Sequence, residues 1–334
     1  MACRWLRPIW RGSTGFCAIV EPIALVALML DAAVGWPDGL YRRIGHPVGL
    51  FARVIDWCEA HGNRLERSAR ARRMLGVATM VGLIALAGGG AWLVQAGLIA
   101  ILGLWGTGGA WLAVALCAFP ALAQRSLHDH VIPVMRALER RDLGAARRAV
   151  GMIVGRDTAA LDEAGIARAA IESLSESFCD GVAAPLFWLL LLGLPGCWAY
   201  KAINTADSLI GHREPRWRAF GWAAARIDDL ANLIPARLGG VVICLAGGGG
   251  WRTMWRDARK HASPNAGWTE AAMAGALGLA LGGPVAYDGA EHAKPWIGTS
   301  RAQAGAADIR RALRIYHRAC LVLWIIAGGL AWAL

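Results

Sequence analysis

The stretch LGVATMVGLIALAGGGAWLV, Leu75–Val94, decides the fold. It carries no charged side chain, and as an α-helix it rises roughly 30 Å, the thickness of a bilayer's hydrocarbon core. Comparable runs recur at Cys17–Val34, Leu98–Ala121, Val182–Tyr200, Leu238–Leu245 with its flanks, and Ala319–Leu334. Ala271–Leu281 is too short to cross alone and reads as a re-entrant or interfacial helix. Hydrophobic residues make up 56% of the 334-residue chain and charged residues 18%, against about 25% charged in soluble domains. Mean hydropathy is +0.41. The expected fold is an all-α polytopic membrane protein: several transmembrane helices, re-entrant or interfacial helices, and helical cytoplasmic loops, forming one membrane-embedded domain over residues 1–334.

The net charge is +11 and comes almost wholly from arginine, since Lys201, Lys260 and Lys294 are the lysines. The basic residues sit beside apolar spans, which assigns them to lipid-facing loops. No module with basic residues and interleaved aromatics is present, so nucleic acid is excluded as a partner. The 8 cysteines are scattered singly with no C-x-x-C pair, which excludes a zinc site or disulfide framework. Residues 1–15 form a basic extension with Arg4, Arg7 and Arg11. The apolar run behind it holds Glu21 and Asp31 and lacks a small-x-small cleavage site, so it reads as a retained first span.

The short Gln95–Gly97 join makes the second and third spans an antiparallel hairpin. Its glycines, Gly88–Gly90, Gly106, Gly108 and Gly109, would let helices approach closely. Arg42, Arg43, Arg53, Arg64, Arg67, Arg70, Arg72 and Arg73 lie between the first two spans and place that segment in the cytoplasm. The hairpin then returns Gln124–Gly181 to the same side; the three early arginines argue weakly the other way. If Val182–Tyr200 crossed, Lys201–Asp229 would lie outside. The Leu194-Pro195-Gly196 break favours a re-entrant pair instead, lining a protein-enclosed cavity.

Four polar segments carry candidate chemistry. In Gly155–Gly181, Asp157 and Thr158 are N-cap residue types. Ile166, Ala167, Ala170, Ile171 and Leu174 form an apolar face; Glu172, Glu176 and Asp180 recur every four residues opposite it. These acids are oxygen ligands for magnesium or, more plainly, a solvated face with an Arg168–Glu172 pair. Arg156, before the helix, could hold a phosphate. In Lys201–Arg213, Asn204, Asp207 and Ser208 share a helical face, with Lys201 one turn earlier. In Ala225–Leu238, Arg226, Asp228, Asp229, Asn232 and Arg237 crowd the mouth of an apolar span, where charge is costly and usually functional. Asp228 and Asn232 are i,i+4 neighbours and can share one ligand.

The fourth, Lys260–Trp268, places Ser263, Pro264 and Asn265 in a turn, with Thr269 and Glu270 opening the next helix. His261 adds a group that titrates near neutrality; His46-Pro47 is a similar but weaker signal. No Walker loop, dinucleotide fingerprint, H-E-x-x-H or G-x-S-x-G occurs. Any ATP phosphates must be held by carboxylates, arginines and helix ends.

In this order, the stretches HPV (46–48), VGRDTAALDEAGIARAAIESLSES (154–177), YKAINTADSLIG (200–211), ARIDDLANLIPARL (225–238) and HASPNAGW (261–268) with AAMAGALG (271–278) resemble the adenosylcobinamide-phosphate synthase family. The resemblance spans about residues 30–296, with the span 319–334 beyond it. Ser177 stands where the family usually has asparagine, and Trp36 where aspartate is common. Ala206, Leu209 and His212 replace leucine, methionine and tyrosine. Residues 1–15 match nothing in the family.

The resemblance implies a membrane amide synthase of cobalamin biosynthesis. It would join the propionate of adenosylcobyric acid to aminopropanol or its phosphate, with ATP as co-substrate and Mg²⁺ as cofactor. It implies a multi-pass protein of the bacterial cytoplasmic membrane with cytoplasmic active-site loops, and leaves room for a homo-oligomer or a complex with later pathway enzymes. Physically, a carboxylate resists amine attack until phosphorylation supplies a leaving group. The site must therefore neutralise phosphate, bind magnesium and take a proton. The expected catalytic residues are His261, Asp228, Asp229 and Glu172. Magnesium would fall to Glu172, Glu176, Asp180 and Asp228. Arg156, Lys201, Asn204, Asp207, Ser208, Arg226, Asn232, Arg237, Ser263, Asn265 and His46 would bind substrate or phosphate. A secondary transporter or corrinoid-binding membrane protein is the alternative; ATP consumption with amide formation would separate them.

Overall fold

A computed structural model describes residues 22–103, 109–287, 290–292 and 294–333. The basic extension, the start of the first predicted span, Gly106 and Gly108 lie outside the described residues. The helices run in the order α1 (Ile23–Val34), α2 (Asp38–Ile44), α3 (Val48–Gly62), α4 (Ala69–Gly103), α5 (Ala110–Ala118), α6 (Gln124–Glu139) and α7 (Leu143–Gly151). Then come α8 (Glu163–Phe178), α9 (Ala184–Ile210), α10 (Trp222–Ala231), α11 (Leu233–Gly247), α12 (Trp251–Asp257), α13 (Ala266–Leu277) and α14 (Ala306–Ala333). Between α13 and α14 lie two antiparallel pairs. Leu281–Gly282 (β1) pairs with Trp296–Ile297 (β4), and Val285–Tyr287 (β2) with Ala290–His292 (β3).

Among the described residues, four helical stretches are long and apolar enough to cross a membrane: Ala69–Leu102, Ala110–Glu139, Glu163–Ile210 and Ala306–Ala333. Two bent pairs, Ile23–Val34 with Gly39–Gly62 and α10 with α11, bring the count to as many as six if each pair forms one span. On α4, Met80, Leu83, Ala87 and Ala91 are buried at helical spacing, while Val81, Leu86, Trp92 and Leu93 are exposed. In water so wide an apolar surface would be a liability; against lipid tails it is the expected outer face.

Three expectations about the chain path change. α4 runs unbroken through Gln95–Gly97, so no hairpin turn lies there; the helix continues to Gly103 and α5 begins at Ala110. Gln95 turns inward and is buried. α9 does break, at Gly193 (φ 68°, ψ −156°), one residue before the predicted site. A break strands backbone groups, and Gln95 Oε1 accepts the Leu194 N–H at 2.9 Å. The residue read as a loop is thus a mid-helix cap for its neighbour. Gly88 meets Ala199 Cβ and the Pro195 carbonyl, but an added Cβ at Gly89, Gly90 or Gly109 finds open space. Of these four glycines only Gly88 faces another helix, α9, and at a distance that would accommodate a methyl group.

The short helix α13 is enclosed by protein. Every residue from Ala266 to Ala274 is buried. It packs against α8, α11 and α12 within the main core. Gly240 lets α11 close on the Trp268 carbonyl, where an added Cβ would lie 2.9 Å away. α13 thereby carries the residues after Lys260 into the middle of the protein.

Candidate functional site

The α8–α9 junction organises the site. α8 starts at Asp162, whose Oδ1 accepts the Gly165 N–H at 2.7 Å; the predicted caps are displaced, and Asp157 instead accepts the Ala159 N–H. The apolar face from Ile166 to Leu174 is buried as read. α8 ends in a π-helical turn, Cys179–Ala183, that swings Asp180 toward α9 and α10. Such single-turn widenings recur at functional sites.

α10 and α11 meet at a bend of 49°. At that bend Asn232 receives the Tyr200 hydroxyl hydrogen at 3.0 Å and donates to Asp228 Oδ2 at 3.0 Å. The i,i+4 pair read from the sequence therefore exists, but Asn232 positions Asp228 rather than sharing a ligand with it. Asp228 is 9% exposed, and its Oδ1 is buried without a hydrogen-bond donor among the described residues. Asn204 lies close to both Asp180 and Asp228, and Asp207 adds its charge to theirs. Asp229 faces outward and accepts from Arg226 at 3.1 Å.

Asp180, Asp207, Asp228, Asp229 and Asn232 line a cavity of about 890 Å³, walled further by Arg73, the 211–221 loop with His212, Arg213 and Arg218, and the 261–266 turn. A second chamber of about 360 Å³ adjoins it, and Glu176, His261 and Ala262 line both. Its other charged lining residues are Arg156, Glu172, Lys260, Glu270 and Lys294.

Several sequence assignments need correction. Glu172 is neither solvated nor paired with Arg168. It forms a buried ion pair with Arg156, and its Oε1 accepts the Gly282 N–H at 2.8 Å. Each Glu172 oxygen thus accepts a bond from the protein itself, and Arg156 has a carboxylate partner in the fold. Arg168 donates to the Ala302 carbonyl and stacks over Trp296. Ser208 is exposed and donates to the Asn204 carbonyl, outside the chambers. Lys201 lies beneath the cavity wall, near Asp180 and Asp31. His46 accepts the Val48 N–H at 3.2 Å and packs edge-on to Trp36, away from both chambers.

Arg237 bonds the Leu233 carbonyl and Asn265 and stacks over Trp268, so it anchors α13 instead of reaching the cavity. Ser263 Oγ accepts the Asn265 and Ala266 N–H groups, and Asn265 Nδ2 donates to the Asp229 carbonyl at 2.7 Å. This turn locks the start of α13 to α10. His261 Nδ1 accepts the Ser263 N–H at 3.0 Å, which assigns the neutral ring's proton to Nε2. That tautomer has no spare lone pair, so His261 as placed is not a general base. Burial, with Lys294 nearby, also lowers its pKa.

Glu270 is the residue sequence reading passed over. α13 begins at Ala266, so Glu270 does not open the helix but lies in its second turn, 4% exposed and facing His261 Nε2 at 3.7 Å. Burial, with Glu176 and Glu172 nearby, holds its pKa well above the usual carboxylate range. The available signal was a lone acid in an otherwise small and apolar helix. Among the described residues no three His, Cys, Asp or Glu side chains form a ready-made cation site.

These features define a multi-span helical membrane protein built around a charged cavity. The profile of the CobD/Cbib protein family matches residues 24–316. The chain belongs to that family. It is 49% identical over 313 residues to the cobalamin biosynthesis protein CobD of Rhodobacter capsulatus, covering 92% of this chain and 96% of that one. The proteins of the same name from Brucella anthropi and Rhizobium meliloti are 46% and 44% identical, covering 88% and 90% of this chain and 91% and 94% of theirs. No solved structure matches.

Proposed function

We propose that this protein joins the propionate carboxylate of adenosylcobyric acid to the amine of aminopropanol or its phosphate, with ATP and Mg²⁺, at the bacterial cytoplasmic membrane. The observation that carries the reading is convergence. Segments 154–177, 200–211, 225–238 and 261–268, far apart in sequence, meet around two adjoining chambers in a chain of the CobD/Cbib family.

Arg73, Arg213, Arg218 and Arg226 line the larger chamber and are suited to nucleotide phosphates. The orphaned Asp228 Oδ1 fits a cation, since an unpaired buried carboxylate oxygen is costly and a divalent ion would relieve it. Asp228 with Asp180 or Asp207 would hold Mg²⁺. One or two carboxylates suffice where phosphates supply further ligands, in keeping with the lack of a three-residue cluster. Bound there, the ion would neutralise phosphate charge. Asn232 keeps Asp228 oriented, and Arg226 sets Asp229 at the rim. A chamber reached from the cytoplasm would meet ATP directly.

The test is mass spectrometry of purified protein incubated with adenosylcobyric acid, either amine and Mg-ATP. Amide product with stoichiometric ATP cleavage is expected. Corrinoid binding without ATP cleavage or amide would refute the reading and favour a transporter.

A further inference from the structure

We propose that the smaller chamber seats the attacking amine, with Glu270 taking its proton and His261 positioning Glu270. This rests on the amide-synthase reading above. The chamber's volume of about 360 Å³ admits a small amino alcohol or its phosphate but no corrinoid ring. It shares a wall with the larger chamber at Glu176 and His261, so an amine held there can meet an activated propionate entering from the other side.

Three carboxylates face this space, and geometry separates their roles. Glu172 is committed to Arg156 and the Gly282 N–H. Glu176 opens to both chambers, within the field of Lys294 and Arg156. Glu270 lies deepest, on the buried helix α13, against a neutral imidazole. The Ser263 N–H fixes the ring so that Nε2, which carries the proton, lies 3.7 Å from Glu270 Oε1. The charged and titratable groups facing Glu270 are thus Glu172, Glu176, Arg156, Lys294 and His261. A carboxylate whose pKa is raised by burial is, in its ionised form, a stronger proton acceptor than an ordinary one.

The proton and bond balance closes. The ammonium gives one proton to Glu270, and the free amine adds to the carbonyl carbon of the acyl phosphate. A C–N bond forms and the C–O bond to phosphate breaks. The second nitrogen proton leaves on the departing phosphate, as hydrogen phosphate, and Glu270 returns its proton to solvent through the open chamber.

The full-length protein in detergent tests this with two nucleophiles. Hydroxylamine, largely neutral at pH 7, traps an acyl phosphate as hydroxamate without needing a base; aminopropanol phosphate needs one. Glu270→Gln should keep hydroxamate formation within about twofold while amide formation at pH 7 falls roughly 10²–10⁴-fold. Amide formation by that variant should then recover about tenfold per pH unit as free amine accumulates. Glu270→Asp, which retracts the carboxylate, should give a smaller loss of amide alone. His261→Asn should shift the pH profile of amide formation and leave hydroxamate unchanged.

Full amide activity in Glu270→Gln or Glu270→Asp at pH 7 overturns the assignment. So does an equal fall of both reactions in a variant that elutes as wild type. Wild-type protein that makes neither product refutes the synthase reading itself.

Discussion

Replacing Asp228 by asparagine tests whether the orphaned carboxylate is a ligand, because a ligand and a structural aspartate respond in opposite directions. Asp228 is 9% exposed; Oδ2 is held by Asn232 at 3.0 Å and Oδ1 has no donor. A buried polar atom left unpaired costs about 1–3 kcal/mol. Asparagine keeps an oxygen for Asn232 and turns an amide donor toward the Asp180 side. The apo protein should therefore gain stability of that order, a rise of roughly 2–10 °C in Tm. The same change removes a charged metal ligand, and loss of even a supporting group typically costs 10–100-fold in metal affinity. The magnesium midpoint for amide formation should rise about 10²-fold. Asp229→Asn removes only the partly exposed Arg226 pair, worth about 0–1 kcal/mol. It should lower turnover at saturating magnesium and leave the midpoint in place. Magnesium titrations of product formation and thermal melts in detergent measure both effects. An unchanged midpoint, or a lower Tm, in Asp228→Asn would refute the reasoning and move the metal toward Glu176 and Asp180.

Gln95→Leu leaves the Leu194 N–H unpaired at the α9 break and should cost about 1–3 kcal/mol in melts; an unaltered Tm would show that the break caps itself. Arg156→Met should cost about 3–5 kcal/mol by stranding Glu172, whereas Arg156→Met with Glu172→Gln should recover most of that loss; equal destabilisation would make the pair incidental. Because Glu270's pKa is raised in the fold, its contribution to stability declines as pH rises above its ordinary value of 4.5 toward the folded value. The Tm advantage of Glu270→Gln over wild type should accordingly grow between pH 5 and pH 8, and a constant difference would count against a buried ionising group. Single cysteines placed in 42–73 and 124–181 on a cysteine-free background should resist impermeant thiol reagents in intact cells; labelling from outside would invert the orientation.

Much of the site's membership was legible because polar groups near apolar spans are costly and therefore conspicuous. Asp180, Asp228, Asp229, Asn232, Arg226, Ser263 and Asn265 all line the larger chamber as their segments suggested. His46, Ser208 and Arg237 carry the same kinds of side chain but satisfy local backbone, and sequence spacing cannot tell a turn contact from a cavity contact. Glu270 escaped notice because an acid near a helix start is an ordinary dipole partner. Its meaning depended on α13 beginning four residues earlier and being buried on all sides.

The sequence by itself determined the all-helical membrane class, since uncharged runs of bilayer length have few other stable forms. It also determined which segments carry chemistry. Tertiary structure decided the pairings: that Gln95 serves a break a hundred residues away, that Glu172 is spent on Arg156, and that Asp228 keeps one oxygen unclaimed. The physical reason is that helical periodicity fixes only the face on which a side chain lies. Which partner meets that face depends on how helices distant in sequence pack, and that packing alone leaves a group satisfied or available.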